Sequence, residues 1–89
     1  MAVFLIHFTH VNHKTGQHYF VNFEADVDTV AELTEQFNAD GLVAGRRLWT
    51  KPGSVPGETE VTGRTEIAIN AASVHTIEVP KNRYVQYED

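Results

Sequence analysis

Apolar and polar residues alternate with the two-residue period of a β-strand over residues 2–11 and again over 17–25. Between these runs lies His13-Lys14-Thr15-Gly16, a tight loop in which Gly16 supplies the left-handed conformation that closes a hairpin. Pairing Asn12 with Gln17 sets His10 opposite Tyr19, Phe8 opposite Val21, Ile6 opposite Phe23 and Phe4 opposite Ala25. Phe4, Ile6, Phe8, Val21 and Phe23 then share one surface, with Tyr19 at its edge. A slip of one residue would scatter them, so the pattern specifies the pairing strongly. The opposite surface carries Val3, Leu5, His7, Thr9 and Val11 against His18, Phe20, Asn22 and Glu24. That is more apolar than a surface meant only for water. It predicts a cover, either the C-terminal strands folding back into a small closed barrel or another chain.

The period changes to that of a helix over residues 28–40, where Val30, Leu33 and Phe37 form one narrow apolar stripe. Asp28 or Thr29 can cap it, Thr29-Val-Ala-Glu32 fits a capping box, and Gly41 suits the position after the last turn. A third strand is predicted from Gly45 to Lys51, followed by an exposed Pro/Gly loop over 51–63. Thr65–Asn70 and Val74–Val79 read as the fourth and fifth strands, joined by a short turn or one turn of 3₁₀ helix, and Pro80 stops the last of them. Residues 81–89 read as a frayed strand or an ordered C-terminal tail. The order β-β-α-β-β-β predicts an α+β fold: a curved antiparallel sheet of about five strands with one helix packed on one face.

The length of 89 residues fits a single small domain covering 1–89, and 42% hydrophobic content supplies one modest core. The absence of cysteine excludes disulfides, thiolate metal sites and a cysteine nucleophile. The apolar opening run lacks a preceding base and a cleavage site and is too short to span a bilayer, so it reads as a strand. A cytoplasmic protein without a membrane partner is the expectation.

Charge adds the least ordinary feature. The net charge is −5, and Glu24, Asp26, Asp28, Glu32, Glu35 and Asp40 all fall within residues 24–40 with no base among them. Asp28, Glu32 and Glu35 share a helical face opposite the apolar stripe. Acids near Asp28 suit the positive end of the helix dipole, but a plain solvent face usually mixes in lysine at the i+4 positions. An acid-only stripe predicts attraction to a basic partner surface.

Candidate chemistry changes this picture little. His7, His10, His13 and His18 crowd together, yet the hairpin sends His10 and His7 to opposite surfaces, so a metal site is not expected. His75 alternates with Ile77 and Val79 and is expected to face inward. Neither a nucleophile elbow, nor a zinc-protease helix, nor a P-loop is present, and Ser73 and His75 have no acid to orient them. No cofactor is implied.

The function expected is therefore a small acidic, non-enzymatic interaction protein, an inhibitor or regulator docking on a basic partner protein. Its contacts would be Asp28, Glu32 and Glu35, or Val3, Leu5 and Phe20. In one version the acids imitate nucleic-acid phosphates in the groove of a basic enzyme. One alternative is a nucleic-acid-binding strand using Arg46, Arg47, Trp49 and Lys51; against it stands the expectation that Trp49 covers the core edge and the arginines pair with nearby acids of the helix. Another is a homodimer.

One solution property follows at once. The five histidines gain charge as pH falls through their range and offset the −5. Light scattering is predicted to rise near about pH 5–5.5, and an unchanged signal between pH 5 and 8 would refute this.

Overall fold

The computed structural model describes residues 2–86. Among them are one α-helix, α1 (Val30–Asp40), and six strands: β1 (Ala2–Val11), β2 (His18–Ala25), β3 (Leu42–Pro52), β4 (Glu58–Asn70), β5 (Val74–Glu78) and β6 (Arg83–Gln86). The strands form one sheet in the order β5-β1-β2-β3-β4-β6. The fold is α+β as expected, but the sheet is six-stranded and mixed, because β6 runs parallel to β4. The predicted five-stranded, wholly antiparallel sheet missed that last pairing.

The first hairpin shows why strand faces are robust when register is not. Asn12 N–H donates to the Gln17 carbonyl at 2.8 Å, and Val11 pairs with His18, as the loop predicts. Further along, Phe4 pairs with Phe23, Ile6 with Val21 and His7 with Phe20. The predicted partners are thus displaced by two residues, absorbed in an irregularity between His7 and Val11. A shift of two preserves the alternation, so the same side chains still meet. Phe4, Ile6, Val21 and Phe23 are buried, and Phe8 packs on them partly buried. Tyr19 remains half-exposed.

Leu33 and Phe37 of α1 complete this core against Val43 and Ile69. Phe4, Phe23, Ile6 and Leu33 are fully buried, each stabilising the fold by about 1.5–3 kcal/mol of apolar transfer. The helix is bounded as its sequence predicts. Thr29 caps it, its hydroxyl accepting from Glu32 N–H at 3.1 Å and donating to the Glu32 carboxylate at 3.0 Å. Gly41 ends it at φ 70°, its N–H reaching the Phe37 carbonyl at 2.9 Å.

The exposed loop expected over 51–63 is much shorter. β3 continues to Pro52 and β4 begins at Glu58, with Pro52 opposite Thr59 and Lys51 opposite Glu60. Only residues 53–57 connect them, turned by Gly57 at φ 85°. The Pro and Gly signals marked this turn, but Thr59–Val61 alternates and joins the ladder beyond it. β3 also starts earlier than predicted, directly after Gly41. The predicted turn at 70–73 is a 3₁₀ turn, Ala71–Ser73, and the predicted tail contains β6. Residues 87–89 of that tail lie outside the described residues.

The connection from β5 to β6 governs the overall shape. These strands occupy opposite ends of the sheet order. Five interstrand steps would part them by about 24 Å in a flat sheet. The chain from Glu78 to Arg83 can span only about 18 Å when fully extended. The sheet therefore curls, and the connection crosses the surface opposite the helix. Leu48 and Val61 are buried on this side, outside the helix-packed cluster. The predicted cover is thus supplied in part by the chain's own C-terminal segment.

Gly45 permits the closest approach within the main core. A β-carbon there would lie 2.5 Å from Phe23 Cζ and 2.6 Å from the Glu24 carbonyl oxygen. Gly45→Ala is predicted to lower stability by about 1–3 kcal/mol through overpacking. Urea unfolding followed by circular dichroism measures it, and an unchanged midpoint would contradict the steric account.

Candidate interaction surfaces

The outer face of α1 carries Glu32 and Glu35, with Asp28 just before the cap, and all three are exposed. Glu32 is held by the Thr29 hydroxyl. Among the described residues no ion pair reaches Glu32 or Glu35. The observed ion pairs lie on the sheet instead. Glu24 faces Arg46 at 2.8 Å and Arg64 at 3.5 Å, Glu60 faces Lys51 at 3.5 Å, and Glu58 meets Arg83. The arginines expected to pair with helix acids are engaged by a strand acid. Cross-strand geometry explains this, because Arg46 lies directly opposite Glu24 in the β2–β3 ladder.

The apolar candidates Val3, Leu5 and Phe20 do not form one surface with the helix acids. They project from the side of the sheet opposite α1, as their pairing with Glu24, Asn22 and His7 shows. Val3 lies beside Glu24, whereas Leu5 and Phe20 line a groove of about 530 Å³ with Asn22, Thr50, Thr59 and Tyr84. The connection from Glu78 to Asn82 forms its other wall. Phe20 is 53% exposed and lies 5.6 Å from the His7 ring. Several polar groups in the groove are paired internally: the Tyr84 hydroxyl donates to Asn22 Oδ1, and Asn82 Nδ2 donates to Thr59 at 3.0 Å.

The alternative basic-aromatic strand is divided as well. Arg46 sits on the surface of Glu24 and Leu48, while Arg47 and Trp49 project from the other. The Arg47 guanidinium lies 4.0 Å over the Trp49 ring, and Trp49 Nε1–H donates to Thr65 at 2.9 Å. One face of the half-exposed indole is thereby covered, and Lys51 is drawn to Glu60.

Among the described residues no group of three or more potential ligands is placed to hold a metal ion. The histidines are nevertheless engaged in contacts of which the sequence showed only one, His10 opposite Tyr19. His18 and His75 stack with centroids 4.3 Å apart, His10 stacks on Tyr19 at 5.2 Å, and His7 Nε2 approaches Glu78 at 2.6 Å. His75 is exposed rather than inward-facing, because β5 has an irregularity at this residue. The His18–His75 and His7–Glu78 contacts depend on β5 lying beside β1, a pairing of distant segments with no local signature. The same holds for Tyr84 and Asn22.

Among the described residues no helix is long and apolar enough to cross a membrane. Comparison with protein-family models, curated proteins and solved structures finds no match to this chain. Functional inference therefore rests on the surfaces themselves.

Burial raises the Tyr84 hydroxyl pKa above its usual 10.0. The folded protein holds this proton more tightly than the unfolded chain. Its stabilising contribution is complete below about pH 10 and is lost as pH rises toward the higher folded value. Urea midpoints are predicted to fall above that pH, with a shallower fall in Tyr84→Phe. Equal slopes in the two proteins would remove Tyr84 as the cause.

Proposed function

We propose that this chain is a non-enzymatic interaction protein of the cytoplasm, an inhibitor or regulator that presents the acidic outer face of α1 to a basic surface on another protein. The observation that supports this most directly is the segregation of charge. Among the described residues, Arg46, Arg64, Arg83 and Lys51 engage acids of the sheet and Arg47 lies over Trp49, while Glu32 and Glu35 face solvent with no ion pair. Such a face accelerates encounter with a cationic partner and makes association sensitive to salt.

The nucleic-acid reading has less support, since Arg46, Arg47 and Lys51 each have a contact within the chain. Imitation of a nucleic acid remains a special case of the acidic reading, to be distinguished by whether the captured partner itself binds nucleic acid.

Glu35 is the cleaner probe, because Glu32 also serves the helix cap. Glu35→Lys is predicted to weaken capture of the partner from native-host extract by about tenfold while leaving circular dichroism unchanged. Raised salt should weaken the wild-type interaction in the same direction. Capture of the same protein with equal affinity by the variant would show that this face is not the contact.

A further inference from the structure

All five histidines of the chain lie on β1, β2, the loop joining them, and β5. Among the described residues β5 is an edge strand paired only with β1, through Leu5 with Glu78, Ile6 with Ile77, His7 with Thr76 and Phe8 with Val74. The ladder passes over His75, which is the extra residue at its irregularity. The His75 ring instead stacks on His18 of β2, at 4.3 Å between centroids and 22° between planes. His18 Nδ1 is 2.6 Å from the Phe8 carbonyl oxygen, an acceptor only, so this nitrogen carries the hydrogen and Nε2 takes any further proton. His75 Nδ1 is 2.7 Å from the Thr76 hydroxyl.

We propose that the His18–His75 stack is a pH-sensitive latch on the edge of the sheet. Proton uptake by the two rings releases the Val74–Thr76 end of β5 from β1, while the other end stays clasped by His7 and Glu78. Neutral imidazoles stack favourably, but two imidazolium ions at this separation repel each other. Lifting β5 separates them. The opened form therefore gains population when both rings carry a proton, which acid favours.

The surrounding charges do not cancel this effect. β1 contributes His7 and His10, the loop His13 and Lys14, and β2 Tyr19, which stacks on His10. The carboxylates on these strands are Glu24, engaged by Arg46 and Arg64, and Glu78, engaged by His7. A proton on His7 strengthens its contact with Glu78, so the two ends of β5 respond in opposite senses. Opening leaves the backbone edge of β1 free to accept an added strand.

Amide hydrogen exchange in the full chain, followed by NMR and expressed as protection factors at about pH 7.5 and about pH 6, tests the latch. Wild-type protein is expected to lose protection about threefold or more at the Val74–Thr76 end, with the Ile77–Glu78 end equally or better protected and the β1–β2 ladder unchanged. His75→Phe retains a ring in the stack but cannot take a proton, and should show the same protection at both pH values. His75→Ala removes the ring and should be weakly protected at both. Equal wild-type protection at the two pH values, a parallel loss in His75→Phe, or a loss spread evenly over β1 and β2 would each overturn the proposal.

Discussion

The short connection between β5 and β6 is the constraint on which the molecule's shape depends. Joining strands at opposite ends of a six-strand order with so few residues forces the sheet to curl. Curling in turn lets a tyrosine from β6 reach an asparagine of β2, although β3 and β4 lie between them in the sheet. It also creates a second buried site around Leu48 and Val61, separate from the helix-packed core. The apolar excess on the non-helical surface is thus partly a folding requirement.

That result reassigns the candidate surfaces. Leu5 and Phe20 adjoin a groove whose wall is the chain's own connection, and Asn22, Tyr84, Asn82 and Thr59 bond to one another there. Paired polar groups hold the connection in place, and a ligand would have to replace those bonds to use the same atoms. Arg46, Arg64, Arg83, Lys51 and Arg47 are likewise committed, through Glu24, Glu58, Glu60 and the Trp49 ring. The acidic face of α1 differs from both, since among the described residues no ion pair answers Glu32 or Glu35.

Legibility from sequence followed the range of the interaction involved. The Thr29–Glu32 cap, the Gly41 terminus and the Leu33–Phe37 stripe are local, and the structure contains them as predicted. The faces of the first hairpin were legible because alternation survives a two-residue displacement, whereas the pairing partners were right beside the loop and not beyond the irregularity. Pro52 and Gly53 exaggerated the following loop, since punctuation at a turn does not say how far the flanking strands extend. The parallel β4–β6 pairing, the stacked His18 and His75, and the double engagement of Glu24 by arginines join distant segments. No periodicity within a single segment encodes those contacts.

The acid-only helix face is also not something the fold demands. A lysine at Gln36 or Ala39, four residues beyond Glu32 and Glu35, would add only about 0.2–0.5 kcal/mol per pair. The buried Leu33 side chain alone outweighs this, at about 1.5–3 kcal/mol. The Thr29 cap adds about 1 kcal/mol more. With cap and core anchoring α1, helix stability is nearly indifferent to whether such a lysine is present. Folding therefore neither requires nor rewards the exclusion of bases from this face.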